Sequence, residues 1–172
     1  MTKKPEAKHE SNEALYTTAV KAMNGDMTNL EAYVGQVLLI VNVASRCGFT
    51  PQYAELETLY RQYNSRGFTV LGFPCDQFLH QEPGGNDEIK AFAKSCYQIT
   101  FPLFAKIEVK GKQQAPLYAY LAKHIKKRPW KFIPWNFTKI LVDTQGNVLK
   151  RYLPTTSFKT IHNEIALLLP VI

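Results

Sequence analysis

Two apolar runs joined by a helical pattern, between Val37 and Phe73, limit what this chain can fold into. "VLLIVNV" at 37–43 and "FTVLGF" at 68–73 are short, nearly unbroken and rich in β-branched residues. Such runs suit strands covered on both faces, because neither face alternates with polar residues. Between them lies "TPQYAELETLYRQYNSRG", where Tyr53, Leu56, Tyr60 and Tyr63 recur at helical spacing and Gly67 ends the run. Thr50 stands where a side chain can cap this helix, and Pro51 suits its first position. Strand, helix and strand in that order predict a right-handed crossover with parallel strands.

The flanking segments complete the pattern. "TTAVKAMNGDMTNL" centres on Asn24-Gly25, a strong hairpin signal. After the loop "CDQFLHQEPGG", a helix capped by Asn86 carries Ile89, Phe92, Ala93 and Cys96 as its apolar stripe. "FAKIEVKG" reads as a strand or extended segment. "PLYAYLAKHIKK" reads as a helix with Leu117, Tyr118, Leu121 and Ile125 on one face. "FTKILVD" and "NVLKRYL" flank "TQG" as an antiparallel hairpin. "SFKTIHNEIALLL" closes the chain as a helix with Phe158, Ile161, Ile165 and Leu168 inward. This order is α/β, that of the thioredoxin fold with an extra N-terminal β-hairpin and a helical segment inserted from Asn86 to Lys127. Residues 1–12 are polar and aperiodic and read as a flexible tail, leaving 13–172 as a single domain.

The chemistry centres on "NVASRCGFTPQY", where Cys47 falls at the turn from first strand to helix. Unpaired backbone N–H groups and the positive end of the helix dipole favour thiolate over thiol there, and Arg46 adds positive potential. The bland alternative is a buried, inert cysteine. Against it, Cys47 follows the polar pair Ser45-Arg46 and precedes Gly48, in a loop rather than in the strand. A disulfide oxidoreductase would carry a second cysteine three residues on, but Thr50 stands there. Oxidation therefore passes through a sulfenic acid or a mixed disulfide, and a sulfenic acid is what a peroxide leaves on sulfur. The lone cysteine tilts the chemistry from disulfide exchange to peroxide reduction.

"LLIVNVASRCGFTPQYAELETLY", "GFPCDQFLHQEPG" and "WNFTKILVD" together resemble the three signature blocks of the glutathione peroxidase family, in family order and at family-like spacing. The likeness covers nearly everything after about Tyr16. It implies a thiol-dependent peroxidase whose peroxidatic residue falls on Cys47, with Gln81, Trp135 and Asn136 completing the site. Amide and indole N–H groups of those types are neutral donors suited to a thiolate and to the oxyanion that leaves it. The family also implies hydroperoxide substrates and recycling by thioredoxin or glutathione, with no cofactor. Selenium-free relatives often resolve through a second cysteine in the helix that here starts at Asn86. The matching positions are Ala93 and Lys94, neither a cysteine, so Cys96 ranks ahead of Cys75 as resolver, and direct attack by glutathione on the sulfenic acid stands open beside both. A short stretch from Leu117 to Trp135 resembles the monomeric branch, which accepts lipid hydroperoxides.

Other classes fit less well. The net charge of +7 would suit polyanions, but the aromatics sit at core spacings and no nucleic-acid motif is present. The run Lys126, Lys127, Arg128 and Lys131 reads first as a solvated helix end, with phosphate, lipid-headgroup or acidic-partner docking as the minority reading. Three cysteines and four dispersed histidines match no metal-ligand spacing. His80 reads as a plain loop histidine. The start lacks an apolar signal segment, which predicts a cytoplasmic location. The functional alternative is a peroxide sensor that passes its oxidation to a partner protein.

Overall fold

The structure is a computed structural model that describes residues 9–125 and 133–171. A four-stranded sheet runs through its centre in the order β4-β3-β5-β6. Strand β3 (Val37–Val43) pairs in parallel with β4 (Phe68–Pro74) and antiparallel with β5 (Lys139–Val142). β5 pairs antiparallel with β6 (Val148–Tyr152). Helix α2 (Gln52–Tyr63) crosses over between β3 and β4, as the periodicity predicts. Strands β1 (Val20–Lys21) and β2 (Met27–Thr28) form the separate N-terminal hairpin. Its turn is made by Gly25 at φ 90°, a conformation glycine adopts without strain. Helices α3 (Asn86–Tyr97) and α4 (Pro116–His124) fill the insert, and α5 (Phe158–Leu168) ends the fold.

The alternation of strand side chains builds two apolar layers. Leu38, Ile40, Leu71, Phe73, Ile140 and Val142 face α4 through Leu117, Tyr118 and Leu121. Leu39, Val41, Val70 and Leu141 face α2 and α5 through Tyr53, Leu56, Ile161 and Ile165. Burying each such side chain stabilises the fold by about 1.5–3 kcal/mol, so both strand faces are committed to helices. A buried Glu57 on α2 adds a polar tie, accepting from Thr100 N–H at 2.8 Å and pairing with Arg61 at 2.7 Å. Among the described residues no helix is long and apolar enough to cross a membrane.

Several expectations change. Helix α1 (His9–Thr17) takes in residues 9–12, the end of the segment read as a tail. Its apolar anchors, Leu15 and Tyr16, come only at its end, so a polar start hides it. Asn12 ties it to the β5–β6 turn through Gln145 C=O and Asn147 Oδ1, and Tyr16 packs so close to Gly146 that a Cβ there would come within 2.9 Å. Of the two readings of "FAKIEVKG", the extended segment holds and the strand does not: around Leu103–Phe104 the chain makes isolated bridges to Gly72 and Ala22. Asn86 opens α3 but does not cap it; its side chain accepts from Lys106 N–H at 2.9 Å. Lys126, Lys127, Arg128 and Lys131 lie outside the described residues.

Candidate active site

Cys47 sits in the turn between β3 and α2, half-buried against the α2 layer. The turn is organised by Thr50. Its hydroxyl donates to Ala44 C=O at 2.8 Å and accepts the Cys47 N–H at 2.9 Å. Thr50 therefore does not cap α2, whose N-cap is Pro51 without a side-chain bond. The position where a redox pair would hold its second thiol instead locks the loop around the first. The Phe49 N–H points to Cys47 Sγ at 3.4 Å, and a donor aimed at sulfur stabilises negative charge on it.

Gln81 arrives from the loop after β4. Its backbone C=O accepts the Arg46 N–H at 3.0 Å, fixing that loop one residue from Cys47. Its side-chain Oε1 accepts from Asn136 Nδ2 at 2.9 Å. Because the amide oxygen is occupied, Gln81 presents its NH2 group as donor. Asn136 is fully buried, and Trp135 is half-buried with its ring 5.5 Å from that of Phe78. The turn they share hangs from Asn42, near the end of β3. Asn42 Nδ2 donates to Trp135 C=O at 3.0 Å, and its backbone C=O accepts the Phe137 N–H at 2.6 Å. Phe137 is held at φ 60°, a left-handed conformation costly for a bulky side chain. Asn42 thus does a job that reading the strand as apolar overlooked; a lone amide inside "VLLIVNV" was the available signal.

The loop before Gln81 is strained as well. Leu79 and His80 are consecutive non-glycine residues at φ 53° and 51°. Asp76 holds them, pairing with His80 Nδ1 at 3.0 Å and accepting the Glu82 N–H at 3.0 Å. Partial burial works against the charge on Asp76, yet His80 and the Glu82 N–H keep its carboxyl below the usual range. Leu79 is left 75% exposed beside the site. Glu82 is buried, and that burial pushes its carboxyl up. A cavity of about 170 Å³ opens between this loop, the Cys47 turn and α3, lined in part by Arg46, Glu82, Ile89 and Phe92.

The two remaining cysteines differ from each other. Cys75 is fully buried and donates to Gln77 Oε1 at 3.6 Å; burial pushes its thiol up, which disfavours nucleophilic attack. Cys96 is exposed, contrary to the stripe expected for it. The inward line of α3 runs from buried Ile89 and Ala93 to the half-buried Tyr97, whose ring lies 5.5 Å from that of Tyr53. A helical step of about 100° between Cys96 and Tyr97 is enough to turn the thiol outward. Among the described residues, no group of three or more His, Cys, Asp or Glu side chains could hold a metal ion.

Comparisons with known proteins identify the family. A family model described as glutathione peroxidase matches residues 15–122. The glutathione peroxidase homolog BsaA of Halalkalibacterium halodurans is 48% identical, over 91% of this chain and 99% of its own. The hydroperoxy fatty acid reductase gpx1 of Synechocystis is 50% identical, over 83% of this chain and 88% of its own. The crystal structure of T. cruzi GPX1 superposes with a TM-score of 0.73 at 36% identity, covering 90% of this chain and 95% of that one. A thioredoxin-family protein of Chlorobium tepidum, at 14% identity and a TM-score of 0.66, shares the fold alone. On a thioredoxin fold, with a cysteine at the first strand-to-helix turn and the family pattern along its length, this chain is a peroxidase and belongs to the glutathione peroxidase family.

Proposed function

We propose that the chain reduces hydrogen peroxide and organic hydroperoxides at Cys47, with Gln81, Trp135 and Asn136 as the surrounding donors. The Cys47 thiolate attacks the distal peroxide oxygen in line with the O–O bond. The S–O bond forms as the O–O bond breaks, giving Cys47 sulfenic acid and an alkoxide or hydroxide, which takes a proton from solvent and leaves as alcohol or water. The neutral N–H donors hold charge on sulfur at the start and on the leaving oxygen at the end. The observation that carries this reading is the pair of bonds through Gln81, one accepted from Arg46 N–H and one from Asn136, which link two distant segments to the Cys47 turn. Exposed Leu79 beside Gln81 supports apolar hydroperoxides among the substrates, in line with the hydroperoxy fatty acid reductase named among the relatives.

A thiol then restores Cys47. Exposure supports Cys96 over Cys75 as an internal resolver, with a thioredoxin-like protein reducing the resulting disulfide. Glutathione attacking the sulfenic acid directly is the competing route. Cys47→Ser should abolish peroxide consumption; survival of turnover would overturn the assignment. The route is read from intact mass after one equivalent of peroxide. A loss of two hydrogens with a Cys47–Cys96 peptide supports internal resolution, and a persistent sulfenate or glutathione adduct refutes it.

A further inference from the structure

Lys139 on β5 is fully buried and, among the described residues, forms no ion pair. Its Nζ donates to Gln52 Oε1 at 2.6 Å and to Phe137 C=O at 2.8 Å, and lies 5.0 Å from the centroid of the Phe158 ring. Gln52 is the first residue of α2, the helix whose approach carries Cys47. Phe137 follows Asn136 and holds the left-handed φ that closes the Trp135–Asn136 turn. One ammonium therefore touches both halves of the site from behind.

The fold gains little from it. A buried, unpaired ammonium loses its hydration, and an apolar side chain of similar length would pack there at less cost. It also stands at the positive end of α2, where the helix dipole repels a cation. The groups facing it from α2 are Gln52 and the carboxylate of Glu55, and from α5 the Phe158 ring; Tyr152 of β6 lies opposite it in register. Desolvation lowers its pKa to about 8, with Glu55 partly restoring it. A thiolate forming at that same helix end would gain from such a charge.

We propose that Lys139 is a positioning residue for Cys47: its ammonium ties the N-terminal end of α2 to the Trp135–Asn136 turn and supplies fixed positive charge there. This rests on the proposed role of Cys47. The test is the rate at which hydrogen peroxide oxidises the reduced full-length protein, measured by stopped flow from about pH 6 to 10 on wild type, Cys47→Ser, Lys139→Met and Gln52→Glu, a range that spans the lysine's titration. Wild-type oxidation that persists in Cys47→Ser would sink the parent reading, whatever Lys139 does. Lys139→Met should unfold no earlier than wild type on heating yet react about ten-fold more slowly. The ratio of the two rates should narrow above about pH 8, where wild type also loses the charge. Gln52→Glu leaves Lys139 in place and sets a carboxylate against it, so the pH at which the rate falls should move upward; this arm stands even if Lys139→Met does not fold. A folded Lys139→Met with the wild-type rate, a ratio flat with pH, or an unmoved Gln52→Glu profile would each overturn the proposal.

Discussion

Replacing Thr50 with valine tests the claim that its hydroxyl organises the Cys47 turn. Valine keeps the shape and removes the oxygen. Two bonds go with it: the one donated to Ala44 C=O at 2.8 Å and the one accepted from Cys47 N–H at 2.9 Å. Thr50 is 5% exposed and Ala44 is fully buried, so the Ala44 carbonyl has no ready access to water. An unsatisfied buried polar group costs about 1–3 kcal/mol. Cys47 is half-buried, so its N–H can recover part of its loss from solvent. The expected total is about 2–3 kcal/mol, against a typical stability of about 5–15 kcal/mol for a domain. At this chain length that corresponds to a fall in Tm of about 4–12 °C. The Phe49 N–H contact to Sγ belongs to the same turn, so the rate of Cys47 oxidation should fall about ten-fold, equivalent to about 1.4 kcal/mol in the barrier. Urea denaturation with an unchanged slope measures the first effect, and stopped-flow peroxide consumption by the reduced protein measures the second. Thr50→Ser, which keeps the hydroxyl, should recover most of both. If Thr50→Val matches wild type within about 0.5 kcal/mol and in rate, the hydroxyl does not hold this turn.

Other perturbations probe the same site. Thr50→Cys creates a C-x-x-C pair, so one equivalent of peroxide should yield a disulfide between Cys47 and the introduced thiol, seen as a mass loss of two hydrogens; a persistent sulfenate would refute this. Asn136→Ala removes the bond that fixes the Gln81 amide and also deletes a buried Asn136 Oδ1 that has no partner. Stability should change by only about 1 kcal/mol, while peroxide turnover drops about 10- to 100-fold. For Lys139 the folded pKa of about 8 lies below the unfolded value of 10.5, so the unfolded chain holds the extra proton between those values. Wild-type stability relative to Lys139→Met should therefore rise from about pH 8 to 10.5, by at most about 3 to 4 kcal/mol; a difference between the denaturation midpoints that stays fixed with pH, or shifts in favour of the variant, would contradict the burial argument.

The elements visible in the bare chain were those with short-range causes. β-Branched runs made β3 and β4, helical spacing made α2 and α5, and Asn24-Gly25 made the hairpin. Position alone marked Cys47, because a cysteine at a strand-to-helix turn meets unpaired N–H groups whatever the rest of the chain does. α1 escaped because its polar start gains stability only where Leu15 and Tyr16 reach the core and Asn12 reaches the β5–β6 turn. Cys96 was misplaced because a spacing of three or four residues fits two neighbouring stripes, and packing against Tyr53 selects the one through Tyr97.

Local pattern was therefore sufficient for the parallel β3–β4 pair and the β5–β6 hairpin, and it singled out Cys47 as the candidate. The contacts that gather the other candidate residues around Cys47 run over long separations. Gln81 and Asn136 meet across 55 residues, Asn42 and Trp135 across 93, and Gln52 and Lys139 across 87. None of these pairs leaves a periodic trace, since each depends on which strands pair and in what register. Thr50 looked like a cap because its type and place allow one. Only the path of the chain back past Ala44 turned its hydroxyl toward the Cys47 turn, where the backbone groups of Ala44 and Cys47 had no other partner so well placed.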